Sequence, residues 1–175
     1  MRLFIAIPLP DEVKNIASLL QQSLDKKIFR LTKIEQIHIT IAFLGEVDKN
    51  NAPKIIDKLK KIQFHPFVLK TKKFGFFPSE NKIRVVWIGL EENEEFKKLQ
   101  HNIRSLFNFK EKLMPHITIA RAKQLITNKE NPWNKSFYEL KYDEADFTVN
   151  KFILYESIPG PEEHTYKEIN IFKSQ

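Results

Sequence analysis

Two stretches of the chain carry the residues with the most chemical content. HITIAFLG spans 38–45 and PHITIAR spans 115–121, so His-Ile-Thr-Ile-Ala occurs twice. In a strand, alternate side chains share a face. His38 and Thr40 therefore point one way, as do His116 and Thr118, while Ile37, Ile39, Ile41, Ile117 and Ile119 point the other. Each strand presents an imidazole and a hydroxyl about 7 Å apart. Turned toward one cleft, the four groups meet the needs of phosphodiester hydrolysis. One imidazole takes a proton from water and the other gives one to the departing oxygen, roles histidine fills near neutral pH without a large pKa shift. The Thr hydroxyls can donate to non-bridging oxygens as their charge grows. Arg121 adds a forked donor for a phosphate oxygen.

Other chemistries fit less well. A mononuclear metal site wants a third ligand at close spacing, as in His-Glu-x-x-His, and neither motif has one. The nucleophile-elbow signature of a Ser-His-Asp site is missing. The absence of cysteine excludes disulfides, Cys-ligated zinc and thiol catalysis. His65, His101 and His164 fall in a turn, a helix and a loop and read as surface histidines.

Elements that could position the motifs follow from periodicity. Residues 2–7 read as a strand. Pro10-Asp11-Glu12 opens a helix to about Leu24, with Val13, Ile16, Ala17, Leu20 and Leu24 on one face. Residues 37–44 form the first motif strand, ended by Gly45. Asp48 caps a second helix through Ile62. Two strands at 66–76 and 82–90 are joined by PSEN. A third helix runs from about Glu92 to Phe107, with Phe96, Leu99, Ile103 and Leu106 inward. The second motif strand runs from Pro115 to about Ala122, a polar loop covers 127–136, and strands at 146–156 and 165–172 close the chain. Strands and helices do not alternate regularly and no Gly-rich phosphate loop is present, so an α+β fold with mostly antiparallel sheets is expected. In each half a helix precedes a His-Ile-Thr-Ile-Ala strand, the mark of a duplicated unit. Residues 1–175 are thus expected to form one domain of two pseudo-symmetric lobes, with helices outside and the cleft between.

The 175 residues, 42 % of them hydrophobic and including 15 Phe, supply a core without staples. A formal charge of +7 favours anionic partners such as phosphates and nucleic acids, or else a lysine-rich solvated surface. No stretch approaches a membrane span. The opening MRLFIAIPLP is broken by Pro8 and Pro10 and leads into acidic DEVK, so it reads as a buried strand rather than a signal peptide. Lys70, Lys72 and Lys73 beside Phe74, Phe76 and Phe77, and Lys110 and Lys112 before His116, suit RNA contact or a lysine-protected strand edge. The 110–112 segment is expected to border the substrate entrance.

The paired motifs resemble the 2H phosphoesterase superfamily, which is named for two His-x-Thr/Ser-x motifs. RLFIAIPLP, FGFFPSENKIRVVWIGL and FILYESIPGPEEHTYKEINIF narrow the resemblance, over essentially the whole chain, to the RNA 2′,3′-cyclic phosphodiesterases formerly described as 2′-5′ RNA ligases. The resemblance implies a bilobal α+β fold and metal-independent, cofactor-free hydrolysis of a 2′,3′-cyclic phosphate on RNA ends or nucleotides to a 2′-phosphomonoester. It makes His38 the acid and His116 the base, with Thr40, Thr118 and Arg121 holding phosphate and Phe43 stacking on a nucleobase. Phe43 and Arg121 each lie five residues past their His, on the opposite face of a regular strand. A bulge or bend after Thr40 would bring Phe43 into the cleft; without one it is a core Phe. Arg121 could curl back from a strand end. A cytoplasmic monomer with no obligatory protein partner is expected. The alternatives are a non-catalytic RNA- or nucleotide-binding module and 2′-5′ ligation as a side activity.

Overall fold

The computed structural model describes residues 1–109, 113–127, 140–161 and 163–175; the loop expected at 127–136 and the Lys110–Lys112 segment lie outside these but for Thr127. The element order is β1 (Arg2–Pro8), α1 (Asp11–Gln22), β2 (Phe29–Leu31), β3 (His38–Glu46), α2 (Ala52–Leu59), β4 (Phe67–Ser79), β5 (Lys82–Leu90), α3 (Glu94–Ser105), β6 (His116–Thr127), β7 (Asp146–Val149), β8 (Lys151–Ile158) and β9 (Thr165–Lys173). The antiparallel order β7-β4-β5-β6-β3-β1-β8-β9 has the motif strands β6 and β3 at its centre. Each half contributes four strands: β3 is flanked by β1, β8 and β9, and β6 by β5, β4 and β7. The α+β class and the two-fold pattern expected from the repeat are both present. β2, which periodicity did not reveal, pairs with β6.

The helices cover one face. α1 carries Asp11 and Glu12 at its positive end and buries Val13, Ile16, Ala17 and Leu20. α3 is capped by Asn93, whose side chain accepts from the Phe96 N–H at 2.9 Å, and buries Phe96, Leu99 and Ile103. Asp48 caps not α2 itself but a single 3₁₀ turn, Lys49–Asn51, that leads into it. Under the helices, Leu3, Ile5 and Ile7 of β1, Ile39 and Ile41 of β3, Ile117 and Ile119 of β6 and Ile83, Val86 and Ile88 of β5 form one apolar core. The alternate residues of the same strands face away from the helices and line a cleft. Gly45 does not end β3; it sits inside the strand at φ +73°, a left-handed conformation that glycine tolerates without a Cβ clash.

A close approach in the second half holds the wall of that cleft. Gly75 lies opposite Trp87 in the β4–β5 pair, and a Cβ on Gly75 would meet the indole at 2.4 Å. The indole is a rigid ring packed on Phe77, with centroids 5.0 Å apart. Gly75→Ala is therefore expected to destabilise the protein by about 1–3 kcal/mol through overpacking, read as a lower denaturant midpoint at unchanged m-value.

Candidate active site

The two motif strands meet through one registered pair, Ile39 opposite Ile117. Extending that antiparallel register by one residue on each side sets His38 across from Thr118 and Thr40 across from His116. Both Ile residues are fully buried on the helix side, so the flanking His and Thr side chains turn to the open face. One cavity of about 580 Å³ is lined by His38, Thr40, Phe43, His116, Thr118 and Arg121 together. All six residues singled out from the sequence thus reach one place.

Phe43 and Arg121 arrive there by the same device. Along the β1–β3 ladder, Ala6 pairs with Thr40 and Ile5 with Ala42, so Ile41 is an extra residue in β3. Along β5–β6, Trp87 pairs with Thr118 and Val86 with Ala120, so Ile119 is an extra residue in β6. Each bulge puts two successive side chains on the core side: Ile41 and Ala42, Ile119 and Ala120, all at 0 % exposure. The following residue then switches back to the cleft. Phe43 is 57 % exposed there, which excludes its reading as a core residue. Arg121 does not curl back from a strand end, since β6 continues to Thr127; the bulge re-aims it.

A bulge takes a carbonyl out of the ladder, and each here finds a donor on a helix. The Ile41 carbonyl accepts from the Arg104 guanidinium of α3 at 3.3 Å. The Ile119 carbonyl accepts from Gln21 Nε2 of α1 at 2.7 Å and from the Thr32 N–H at 2.9 Å. The Gln21 amide is buried and also donates to the Thr32 carbonyl at 2.7 Å, tying α1, the β2 exit and the bulge together. Neither residue was marked by a sequence pattern, because a buried polar residue on an apolar helix face has no period of its own.

The imidazoles are held alike. His38 Nδ1 lies 2.7 Å from the Gln36 carbonyl and His116 Nδ1 lies 2.8 Å from the Met114 carbonyl. A carbonyl only accepts, so Nδ1 carries the proton in each ring and Nε2 is left to gain or lose one. Aromatic walls fix the ring planes. His38 packs on Phe4 and Tyr166 at centroid distances of 5.1 and 5.4 Å, and His116 packs edge-on to Phe77 at 4.9 Å. Burial pushes both imidazoles below the ordinary histidine value of 6.5, against the carbonyl bonds, which raise them; Arg121 lowers both, and the charge of His116 lowers His38 further.

The other sequence expectations divide. His65 and His101 are exposed and away from the cleft, whereas His164 is half-buried and lines the cavity. Lys72 and Lys73 line a separate depression beside α3, and Lys70 bridges Glu91 and Glu144, so these lysines do not face the paired histidines. Phe76 is core, and only Phe77 of that aromatic group reaches the site. Among the described residues no group of His, Cys, Asp and Glu is arranged to hold a metal ion, and no helix is long and apolar enough to cross a membrane.

With this geometry in place, three comparisons identify the class. The family model described as LigT like Phosphoesterase matches residues 7–87. An RNA 2′,3′-cyclic phosphodiesterase of Methanocaldococcus jannaschii is 35 % identical over 173 residues, covering 97 % of this chain and 98 % of its own. One of Thermotoga maritima is 34 % identical, covering 95 % and 92 %. The crystal structure of Escherichia coli LigT complexed with 3′-AMP superimposes with a TM-score of 0.77 at 25 % identity, covering 99 % of this chain and 97 % of that one. A Thermus thermophilus protein matches the fold with a TM-score of 0.81 at 24 % identity, covering 99 % and 97 %. The chain belongs to the LigT-like phosphoesterases of the 2H superfamily.

Gln21→Leu keeps the side chain's bulk and removes both hydrogen bonds. It is expected to cost about 1–3 kcal/mol of stability, the penalty of removing the part-buried bond to the Thr32 carbonyl and the buried bond to the Ile119 carbonyl. It should also lower turnover through Thr118 and Arg121, although Gln21 lies outside the cleft. Thermal unfolding and initial rates on one cyclic phosphate substrate check both effects.

Proposed function

We propose that the protein hydrolyses the 2′,3′-cyclic phosphate of RNA ends or nucleotides to a 2′-phosphomonoester with a free 3′ hydroxyl. The observation that carries this reading is the matched pair of imidazoles, each with Nδ1 tied to a carbonyl and Nε2 left for proton transfer, over a cavity that no Asp or Glu lines among the described residues. The names of the similar proteins from M. jannaschii and T. maritima support the same substrate.

In this mechanism the cyclic phosphate lies between the rings, its non-bridging oxygens taking hydrogen bonds from Thr40, Thr118 and Arg121. His116 Nε2 removes a proton from water as the water oxygen bonds to phosphorus. The bond from phosphorus to O3′ breaks, and His38 Nε2 delivers its proton to that oxygen. These two labels follow the family resemblance. They require one proton on the pair, held by His38 at turnover, and a bound phosphate anion favours the charged form of the imidazole beside it. Phe43 supplies an exposed ring for a nucleobase. No metal enters any step.

Incubation with a 2′,3′-cyclic nucleotide in EDTA should give only the 2′-phosphate, seen by phosphorus NMR. A 3′-phosphate product, or activity that needs an added divalent ion, would overturn the reading. His38→Ala and His116→Ala should each lose about 10²–10⁴ in kcat with the fold intact.

The lowered pKa of both rings sets the pH dependence. The base must be neutral and the acid protonated, so the one-proton state peaks between two values that both lie below 6.5. A plot of kcat/KM, which reports the free enzyme, should be a bell with its maximum on the acid side of 6.5; a single limb would not fit paired imidazoles.

The acid and base can be told apart by the leaving group. A phosphodiester of an acidic phenol needs no proton on departure, so it should restore turnover in His38→Ala but not in His116→Ala. The reverse pattern would exchange the labels.

A further inference from the structure

One end of the cleft is built from Arg2, Ser157 and His164, which have no place in the reaction at the paired histidines, and from Tyr166, whose ring also packs on His38. Arg2 of β1 is opposite Ser157 of β8, and Ser157 is opposite Tyr166 of β9. These three form one row across adjacent strands, and all three line the cavity. Phe4, two residues from Arg2 on the same face, packs on His38, so Arg2 lies about 7 Å farther along β1, while the Tyr166 ring reaches back to His38 at 5.4 Å. His164 closes this end. Its Nδ1 is 2.9 Å from the Ser157 hydroxyl, and its carbonyl accepts from Gln36 Nε2 at 3.1 Å. Gln36 is the residue whose own carbonyl holds His38. One residue therefore anchors both a histidine of the central pair and the histidine at the end of the cleft.

The electrostatics at this end favour an anion. Among the described residues no ion pair engages Arg2. Two of the nearby carboxylates are turned to other cations. Glu46, opposite Arg2 in register, lies 3.8 Å from the amino group of Met1, and Glu163 pairs with Lys33. Burial raises the Tyr166 phenol, so it stays a hydrogen-bond donor. A cyclic phosphate carries one negative charge, and Arg121 sits beside the paired histidines to meet it. Arg2, with the His164 ring and the Ser157 and Tyr166 hydroxyls, then forms a second cluster of donors in the same cavity.

We propose that Arg2, with His164 and Tyr166, forms a subsite for the phosphodiester on the 5′ oxygen of the nucleoside that bears the cyclic phosphate. The enzyme then selects RNA ends over cyclic mononucleotides. This rests on the hydrolytic reading above and extends it from the bond cleaved to the substrate class. A guanidinium and a phosphate make a charge-assisted, two-pronged contact, and it lies away from the reacting phosphorus. It contributes to binding and not to the chemical step.

The test compares three substrates: a 2′,3′-cyclic mononucleotide with a free 5′ hydroxyl, the same compound with a 5′-phosphomonoester, and a dinucleotide ending in the cyclic phosphate. The wild-type protein should show kcat/KM about tenfold higher on the dinucleotide than on the 5′-hydroxyl mononucleotide. Arg2→Gln should remove that gain through KM, leave kcat and the mononucleotide rate unchanged, and reduce the log–log salt slope for the dinucleotide by about 0.7. His164→Gln should remove part of the gain, again on the dinucleotide only. Equal losses on all three substrates, or no dinucleotide gain in the wild type, would overturn the subsite. A gain with the 5′-phosphomonoester alone would also overturn it, since the site would then be for a free 5′ phosphate. If the wild type turns over none of the three, the hydrolytic reading fails. Titration with a dinucleotide and a nucleoside, each ending in a 2′-phosphate, still reads the subsite by its affinity difference, and equal affinities would overturn it.

Discussion

The site depends on one extra residue in each of two strands. Ile41 and Ile119 each interrupt the ladder just past a motif Thr, and each interruption sends a third side chain to the face already occupied by a His and a Thr. Without the bulges, Phe43 and Arg121 would be driven into an apolar core, where an unpaired guanidinium is very costly. With them, an aromatic ring and a cation join the cleft at equivalent positions of the two halves. The freed carbonyls are not left bare: Arg104 serves one and Gln21 and Thr32 serve the other. The two halves solve the same problem with different donors. The duplication is thus in the backbone path, and the side chains that support it have diverged.

The same division holds around the imidazoles. Both rings are locked through Nδ1 to a carbonyl two residues earlier. This is a local consequence of the strand entry and repeats in both halves. The walls differ. His38 sits among Phe4 and Tyr166, and His116 beside Phe77 and Trp87. Burial lowers the pKa of both rings, and the surroundings that bury them differ between the two halves. An acid and a base made from one residue type need such a difference, and here it comes from packing.

The periodic features were legible in the residues themselves. Apolar spacing located α1 and α3 to within about two residues, and alternation located both motif strands, because burial of one face imposes a period that survives in the sequence. The same reasoning stopped at β2, three residues too short to show a period, and at Gly45, whose φ of +73° continues a strand where a glycine commonly ends one. It also misplaced His164, which falls in a loop yet is drawn to the cavity by Ser157 and Gln36. Lys72 and Lys73 are near aromatic residues along the chain, but the turn of β4 takes them to the α3 side.

By itself the sequence determined which atoms are available for chemistry: two imidazoles and two hydroxyls in duplicate strands, an arginine and an aromatic ring five residues beyond. It also determined that these strands bury their Ile faces, since alternation leaves no other arrangement. Tertiary structure alone decided that Ile39 meets Ile117, which brings the two copies to a common cavity, and that the bulges turn Phe43 and Arg121 into it. It alone decided which carbonyls orient the rings and that Arg2, Ser157 and Tyr166 line up across three strands. Strand pairing joins residues far apart in the chain, and a bulge depends on donors from distant helices, so neither leaves a local pattern in the order of the amino acids.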